Sequence, residues 1–344
     1  MTFSKTTVPL LRFYLLLVST LLAFPNQSYS QTLKIASLAP DGSSWVKALR
    51  SIGQQIHEQT NGKVQLKIYP GGVQGDEKVV LRKMRIGQLQ GAGFAGQGVS
   101  QILPDALALQ MPFLFNTYEE IDYVLEKMDP FYKEAYAAKG YIHLGWTDIG
   151  FVHILSKSPV RGITDIRQHK VWRLEEEPIT GVLFKLAGVT SVPLSIPDVL
   201  LGLQTNLVDV VYASPAAAIV LQWFTRVKYI NKLPINYTLG AFLLDAKAFA
   251  RLSPEHQLLL RKIAADEMHT LSLTTRRENE EAMAVMLANG LESIEASANE
   301  LQTFYDLVEQ TRNQIVGSVF SQEAHDRVAN LLLEFRQHPP SENP

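Results

Sequence analysis

Residues 33–72 read LKIASLAPDGSSWVKALRSIGQQIHEQTNGKVQLKIYPGG, and this stretch decides the fold class. Residues 33–38 alternate apolar and polar side chains as a half-buried strand does, and a Pro-Asp-Gly turn follows them. The serine pair at 43–44 can cap a helix that carries apolar residues at helical spacing. Residues 64–69 then alternate again. A strand, a helix and a second strand in this order predict a parallel α/β sheet.

The same alternation of strands and helices continues along the chain. Further helices are predicted over about 76–88, 118–139 and 179–187, and further strands over 141–146, 170–174 and 208–212. Residues 151–155 are predicted to be extended. From residue 253 onward the sequence is typical of helices, because Ser253 can cap a helix that Pro254 opens, and no breaker occurs before Asn289-Gly290. A helix of about 36 residues spans roughly 54 Å. We therefore expect it to brace two lobes.

The first thirty residues are predicted to be a secretory signal peptide. Lys5 and Arg12 supply a positive start, an apolar run covers 13–24, and residues 28–30 resemble a small-x-small cleavage site. The apolar run is shorter than the roughly 20 residues that a membrane-spanning helix needs, and no later stretch is long and apolar enough. We therefore expect a soluble, exported protein without a lipid anchor.

The remaining length predicts two lobes, because residues 31–344 exceed what one hydrophobic core usually supports. We expect lobe 1 to take residues 31–150 and about 241–275. Lobe 2 is expected to take residues 151–240 and about 276–336. The last residues, 337–344, are polar and proline-containing, which predicts a disordered tail.

Composition excludes several classes of function. The chain has no cysteine, which excludes disulfides, thiolate metal sites and cysteine nucleophiles. Its formal net charge of -2 is unlike that of nucleic-acid-binding proteins. The eight histidines are scattered without an HExxH pattern, and no G-x-S-x-G elbow occurs. We therefore predict no metal, no cofactor and no enzymatic activity.

One segment matches the dinucleotide-binding fingerprint: residues 91–96 read Gly-Ala-Gly-Phe-Ala-Gly. A fingerprint of this kind must follow an apolar strand and open a helix. Here it follows a predicted helix, and Pro104 lies shortly downstream. We interpret the segment as a short strand whose small residues permit close packing, with a loop beginning near Gln97.

Arg173 is the strongest candidate for a binding residue. It follows Lys-Val-Trp at 170–172 and shortly precedes three glutamates at 175–177. In a chain without a catalytic motif, a permanently charged guanidinium indicates capture of an anion. The alternative is a solvated arginine paired with one of these glutamates. Trp172 alternates with Arg173 on the predicted strand and is expected in the core, as is Trp223.

Four motifs, taken in order, resemble the extracytoplasmic solute-binding receptors of tripartite ATP-independent periplasmic (TRAP) transporters. They are APDGSSW at 39–45, YPGGVQGDE at 69–77, MPFLF at 111–115 and KVWR at 170–173. The resemblance implies an α/β fold, a two-lobed periplasmic-binding-protein clamp with mixed sheets, hinge strands and a long bracing C-terminal helix. It also implies a periplasmic receptor that closes on a small organic acid and delivers it to membrane permease subunits. Arg173 occupies the position of the arginine that pairs with the ligand carboxylate in this family.

The chain departs from the family pattern at two places. Many members read Gly-Phe-Arg-His where this chain has Gly-Phe-Val-His at 150–153, so Val152 replaces a second arginine. The Asp-Gly-Gln-Glu-Asn-Pro stretch of the family is replaced at 209–215, which leaves Tyr212 and Ser214 near the place of a ligand-contacting asparagine. Both changes remove polar groups from the cleft. They resemble a subgroup with an apolar pocket and a tetratricopeptide-repeat (TPR) partner protein.

These observations predict a receptor for a monocarboxylate with a hydrophobic body. We expect Arg173 to hold the carboxylate in a cleft whose ligand-binding residues also include Trp45, Gln97, Trp146, Val152, Tyr212 and Ser214. Two alternatives stay open: a periplasmic sensor whose closed form docks on a signalling protein, and an exported enzyme on the same clamp fold. Permease genes beside this one would favour transport, whereas turnover of candidate acids would favour an enzyme.

Overall fold

The computed structural model describes residues 30–338. The predicted signal peptide, except Ser30, and residues 339–344 of the predicted tail lie outside this range. The strands are β1 Gln31–Ser37, β2 Val64–Tyr69, β3 Gly91–Phe94, β4 Tyr141–Ser156, β5 Val171–Arg173, β6 Ser191–Pro193, β7 Val210–Ala213, β8 Tyr229–Asn231, β9 Asn236–Asp245 and β10 Glu292–Ile294.

Twelve α-helices lie between and after these strands in the described residues. They are α1 Ser44–Gln59, α2 Glu77–Arg85, α3 Gly96–Ile102, α4 Tyr118–Ala138, α5 Ile163–Ile166, α6 Pro178–Ala187, α7 Val199–Gln204, α8 Pro215–Val220, α9 Ala246–Phe249, α10 Pro254–Ala288, α11 Ala298–Ile315 and α12 Gln322–Gln337. Short 3-10 helices cover Pro104–Gln110, Ile196–Asp198 and Trp223–Arg226.

The opening strand–helix–strand unit forms as its sequence predicts. Ser43 caps α1 by accepting a hydrogen bond from the Val46 amide. Helix α1 buries Val46, Leu49, Ile52 and Ile56, which recur every three or four residues and so lie on one face. Each such side chain contributes roughly 1.5–3 kcal/mol when it leaves water. Strands β1 and β2 pair in parallel beside this helix.

Strand β4 belongs to both sheets of the described residues, where the sequence predicted a strand at 141–146 and a separate extended segment at 151–155. The first sheet has the order β2-β1-β3-β9-β4, with β1, β2 and β3 parallel and β9 antiparallel to its neighbours. The end of β4 pairs with β7 and β8 in the second sheet, which continues to β5 and β6 on one side and β10 on the other. We call the first sheet with its helices lobe 1 and the second lobe 2. The predicted mixed sheets are confirmed.

Helix α10 braces the two lobes, as the sequence predicted. Its 35 residues begin at the cap Ser253. The Ser44 hydroxyl of lobe 1 donates to Glu278 of this helix. The next residue is Asn279, whose side-chain amide donates to the Ile149 carbonyl at 3.0 Å and accepts from the Ala216 amide at 2.9 Å. The helix therefore contacts lobe 1, the crossing strand and lobe 2.

The C-terminal helix packs on lobe 1, which differs from the predicted lobe boundaries. We expected residues 276–336 in lobe 2. Helix α11 does pack there, with Phe304 and Val308 in the lobe 2 core. In contrast, Val328 and Leu332 of α12 join the core that contains α4, and Arg336 pairs with Glu120 at 2.7 Å. The chain therefore returns to lobe 1 after Ile315.

Within residues 30–338, no helix combines the length and the apolar character that a membrane span requires.

Candidate functional site

A cavity of about 690 Å³ lies between the two lobes. Its lining is mostly apolar. Lobe 1 contributes Trp45, Leu107 and Phe113, among others, and lobe 2 contributes Trp172, Leu183, Phe184 and Ile219. Cavities of this volume accommodate a small molecule and are commonly found where two domains meet.

Five of the seven predicted binding residues lie on the cavity wall, and two do not. Those on the wall are Trp45, Gln97, Val152, Tyr212 and Ser214. Trp146 and Arg173 are not part of the lining.

Trp45 lies over the sheet of lobe 1 at positions where neighbouring strands carry glycine. A Cβ placed on Gly240 would come within 2.3 Å of the indole, and one placed on Gly93 within 3.1 Å. Helix α1 begins directly after β1, so the indole projects from the first turn of α1 over β3 and β9. The absence of side chains at these two positions makes room for a flat aromatic wall.

Gln97 and Ser214 use their polar groups within the protein. The Gln97 amide donates to the Glu175 carbonyl, which joins lobe 1 to lobe 2 across the cleft. The Ser214 hydroxyl accepts from the Ala217 amide at 3.4 Å and caps α8. Beside the Gln97 contact, Lys78 pairs with Glu176 at 2.5 Å. The two lobes therefore contact each other across the cleft.

Trp172 lies on the cavity wall as well as in the core. Its ring stacks on Tyr212 with centroids 4.6 Å apart, and its indole N–H donates to the Leu194 carbonyl at 3.0 Å. Trp223 packs edge-on against the same ring and is buried, as predicted. The alternation of Trp172 and Arg173 correctly predicted that Trp172 is buried. The face of β5 that carries Trp172 also borders the cavity.

Arg173 is half-buried behind this wall. Its Nε donates to the Ser191 hydroxyl at 3.4 Å and its Nη1 to the Leu174 carbonyl at 3.2 Å. Among the described residues, no carboxylate lies within 4.0 Å of the guanidinium, so the alternative of a pair with a neighbouring glutamate is not what the structure shows. The neighbouring glutamates have other partners, since Glu176 binds Lys78 and Glu177 caps α6.

Glu177 carries a carboxylate on the cavity wall close to Arg173. Burial raises the pKa of Glu177, whereas hydrogen bonds from Thr180 and Ile179 and the charge of Arg173 lower it. Burial also raises the pKa of the Tyr212 hydroxyl, and Arg173 again acts in the opposite direction. The electrostatic influence of Arg173 thus reaches two residues that line the cavity.

Trp146 packs in the core of lobe 1 and not in the cleft, which corrects its predicted placement. Its ring meets Tyr132 edge-on with centroids 5.4 Å apart and lies 4.4 Å from the ring of His143. The reason is the direction of its side chain from β4, whose pairing with β9 shifts register between His143 and Gly145. Trp146 therefore faces α4.

Glu77 is a cavity residue that the sequence analysis did not single out. It is 2% exposed, and its carboxylate accepts from the Ala95 amide at 2.5 Å and the Gly98 amide at 2.6 Å. Burial raises the pKa of Glu77 to about 7 against these hydrogen bonds. The signal available in the sequence was its place in the YPGGVQGDE motif, directly after Asp76, which caps α2.

The fingerprint-like segment at 91–96 is a strand followed by a helix, so the predicted loop near Gln97 is wrong. Strand β3 ends at Phe94 and α3 begins at Gly96. A dinucleotide would place its pyrophosphate at the start of such a helix. That position is filled by the Glu77 carboxylate. Within residues 30–338, no group of histidine and acidic side chains is arranged to hold a metal ion.

Comparison with known proteins assigns the chain to a family. The family model for bacterial extracellular solute-binding proteins, family 7, matches residues 35–317. The chain belongs to this family. The resemblance to TRAP receptors that the sequence motifs carried is therefore confirmed, and the family consists of binding proteins rather than enzymes.

Two curated relatives are named for their ligands. The chain is 24% identical over 254 residues to the 2,3-diketo-L-gulonate-binding periplasmic protein of Escherichia coli K12, a match that covers 72% of this chain and 76% of that protein. It is 24% identical over 215 residues to the sialic acid-binding periplasmic protein of Vibrio cholerae, covering 60% and 63%.

Solved structures share the fold. A TRAP periplasmic solute-binding protein from Xanthobacter autotrophicus Py2 with bound β-D-galacturonate matches with a TM-score of 0.81 at 20% identity, covering 88% of this chain and 99% of that chain. The sugar acid-binding protein of Advenella mimigardefordensis in complex with galactonate matches with a TM-score of 0.82 at 19% identity, covering 89% and 99%. The predicted two-lobed clamp is confirmed.

Proposed function

We propose that this protein is a periplasmic receptor for an organic carboxylate with a hydrophobic body, and that it delivers this solute to a TRAP-type secondary transporter. The observation that carries the proposal is a mostly apolar cavity between two touching lobes, beside an arginine that has no carboxylate within 4.0 Å in the described residues. The family supports the receptor role, and the named relatives above bind sugar acids, which share a carboxylate.

The apolar walls of the cavity favour a solute whose body is less polar than a sugar. Val152 stands where an arginine is common in the family, and Trp172, Leu183 and Phe184 line lobe 2. Burial of apolar surface contributes roughly 25 cal/mol per Å². A sugar would instead have to give up the water around its hydroxyl groups, which costs free energy wherever no hydrogen bond replaces it.

Arg173 is the proposed anchor for the carboxylate. Its present hydrogen bonds, to a hydroxyl at 3.4 Å and to a neighbouring carbonyl, are weaker than a pair with an anion. Rotation of the side chain toward the Glu177 end of the cavity would exchange them for such a pair. Two of the glutamates on the cavity wall, Glu77 and Glu177, oppose an anion less than free carboxylates would, because each already accepts hydrogen bonds from backbone amides.

Lobe closure would couple binding to delivery. A solute that touches both lobes stabilises the closed state by its differential affinity for that state. In this proposal the contacts of Gln97 with Glu175 and of Lys78 with Glu176 help to hold the closed state. A permease that recognises the closed lobes would then receive only loaded receptors. Permease subunits, and a TPR protein as a further partner, are proposed partners that co-purification from host membranes would test.

Titration calorimetry tests the anchor and the ligand class together. The probes are phenylacetate and octanoate, with galacturonate as the polar comparison. We expect the hydrophobic acids to bind more tightly than galacturonate. Arg173→Ala should lower the affinity for these acids by about 10- to 100-fold, because truncating one member of a partly buried charge pair reduces affinity on this order. Arg161→Ala, an exposed arginine of the same lobe, is the matched control. Unchanged affinity in Arg173→Ala, or tighter binding of galacturonate, contradicts the proposal.

A further inference from the structure

The cavity continues from the cleft into the interior of lobe 2. One face of the lobe 2 sheet carries Ile154 of β4, Val171 of β5 and Val210 of β7. They share this face because Val171 is paired with Val210, and Ile154 with Tyr212, two residues further along β7. The three side chains belong to one buried core cluster, and all three also line the cavity. The cavity therefore reaches the sheet itself.

Helices cover this face of the sheet without filling the space above it. Helix α11 packs on both α5 and α6. Ile163 of α5, Leu183 of α6 and Val308 of α11 belong to the same core cluster, and each of them lines the cavity. Leu183 and Val308 are each 9% exposed. The part of the cavity between these three residues and the sheet face is called the lobe 2 branch below.

The core beneath α1 in lobe 1 shows how a filled layer differs. Leu49, Ile52 and Ile56 of that helix are fully buried, and none of these three lines the cavity. Protein interiors are packed as densely as organic crystals, and unfilled apolar space lowers stability. Apolar cavities stay free of water and take up apolar molecules instead. The lobe 2 branch therefore has the properties of a core that an apolar group from outside completes.

Phe113 brings lobe 1 to the α11 side of the branch. Its φ of +55° is uncommon for a bulky residue and persists only where the surroundings require it. The ring meets Phe304 of α11 edge-on with centroids 6.2 Å apart, and Tyr305 with centroids 4.9 Å apart. Phe113 and Phe304 both line the cavity. An occupant beside Phe304 would therefore contact both lobes.

The anchor arginine lies on the same face of β5 as the branch. Arg173 follows Val171 by two residues, so their side chains leave the strand on one side, roughly 6.6 Å apart along it. Beyond Val171 the lining from the sheet and from the helices is aliphatic. Along this face a single charge is followed by apolar side chains. A carboxylate joined to an alkyl chain has the same order of groups.

We propose that the lobe 2 branch holds the alkyl chain of the solute, and that the solute is an aliphatic straight-chain carboxylate. The chain lies between Ile154 and Val210 on the sheet and Leu183 and Val308 on the helices, where it completes the core of lobe 2. Phe113 adds a contact from lobe 1, so the chain favours the closed state. The inference rests on the proposed function and narrows the hydrophobic body to a chain.

A series of straight-chain acids from butanoate to dodecanoate tests the branch by calorimetry. The variant is Val308→Phe, which places a ring in the branch. Leu307→Phe is the matched control, because Leu307 is the neighbouring residue of α11 in the same cluster and is 8% exposed, but lies off the cavity. Leu183→Phe enters the branch from α6 and is a second variant. Thermal unfolding of each protein is measured without ligand and with decan-1-ol, which has the chain but no carboxylate.

We expect the affinity of the wild type to rise about 3- to 4-fold with each added methylene until the branch is full, as burial of a methylene predicts. Val308→Phe should lower the affinity for decanoate by about 10-fold or more and that for butanoate by less than about 2-fold, because only the longer chain needs the filled space. Its ligand-free unfolding temperature should be unchanged or higher, since the ring fills a cavity.

The control should behave in the opposite way. Leu307→Phe should keep the dependence on chain length and lower the ligand-free unfolding temperature, because its larger side chain enters a packed layer. Decan-1-ol should raise the unfolding temperature of the wild type and of Leu307→Phe, but not that of Val308→Phe, since a ligand stabilises only a protein that binds it.

Several outcomes overturn the branch as the site of the chain. They are an affinity that does not depend on chain length, an equal loss of decanoate affinity in Val308→Phe and Leu307→Phe, and no effect of decan-1-ol on the wild type. Failure to fold, or a lower ligand-free unfolding temperature, in both Val308→Phe and Leu183→Phe would show that the branch has no room for a chain. The proposed function fails differently, through unchanged affinity in Arg173→Ala or tighter binding of galacturonate.

Discussion

The indole of Trp45 occupies the space that a side chain on Gly240 would need: a Cβ there would lie 2.3 Å from Cη2 of the ring and 2.8 Å from the Phe94 carbonyl. Gly240 belongs to β9, and Trp45 begins α1. The position of one wall of the cavity therefore depends on the lack of a side chain on a strand far away in sequence.

Gly240→Ala should displace Trp45 and change the shape of the cavity. Forcing a methyl group into this contact costs roughly 1–3 kcal/mol of unfolding free energy. The tryptophan fluorescence of the ligand-free protein should shift, and solute affinity should fall. Gly181→Ala is the control, because a Cβ on this helical glycine meets nothing within 4 Å. An unshifted spectrum with full stability in Gly240→Ala would contradict this account of the wall.

Asn279→Ala should destabilise the protein at the junction of the lobes. The change removes the hydrogen bonds to the Ile149 carbonyl and the Ala216 amide. Two backbone groups would be left without these partners, at a cost of about 1–3 kcal/mol each if they stay dry. Urea unfolding measures the loss. Asn289→Ala at the exposed end of the same helix should change the stability by less than about 0.5 kcal/mol. Equal effects of the two changes would mean that Asn279 does not join the lobes.

His143→Phe should stabilise the protein and reduce its sensitivity to acid. Both ring nitrogens of His143 are buried without a partner in the described residues, and burial lowers the pKa of this imidazole to about 3. The folded state therefore binds fewer protons than the unfolded state between about pH 6.5 and 3. Stability falls by up to about 1.4 kcal/mol for each unit of pH lowered through this window.

The measurement for His143→Phe is urea unfolding at pH 7 and pH 5. The variant should gain about 1–2 kcal/mol at pH 7, from loss of an unsatisfied group, and more at pH 5. Glu77 acts in the opposite direction, because its raised pKa makes the folded state bind more protons between about pH 4.5 and 7. The quantity to compare is therefore the difference in unfolding free energy between the variant and the wild type at each pH. A difference that does not grow toward pH 5 would show that His143 titrates normally.

Lys78→Ala should have little effect on binding. The Lys78 and Glu176 side chains, which pair at 2.5 Å, are 60% and 58% exposed. Pairs this exposed contribute little, because water and salt screen their charges. Solute affinity should fall by less than about 5-fold at low salt and less still at 0.5 M salt. A larger loss of affinity that persists at high salt would show that this ion pair is essential for the closed state.

Local signals sufficed for elements such as α1 and α10, because caps and periodicity are properties of neighbouring residues. Ser43 and Ser253 mark the starts of α1 and α10, and the apolar spacing of α1 follows its buried face. The placement of Arg173 and Trp172 on opposite faces of β5 also follows from alternation alone.

The cavity could be predicted only in part, because it depends on contacts between distant segments. Trp146 was placed wrongly since the side that it faces is set by how β4 pairs with β9 and by the packing of α4. The return of α12 to lobe 1 likewise rests on contacts with α4. Nothing in the sequence shows that the ring nitrogens of His143 lack a partner among the described residues, which is a property of their three-dimensional surroundings.

The Glu77 carboxylate limits which ligands the start of α3 can bind. Its side chain is an internal competitor at the start of α3, tethered beside the Ala95 and Gly98 amides. A tethered group acts at an effective concentration on the order of millimolar, and it cannot diffuse away. A free phosphate or nucleotide would have to displace it at every encounter. The Ala95 and Gly98 amides are therefore closed to anionic ligands as long as this carboxylate is present.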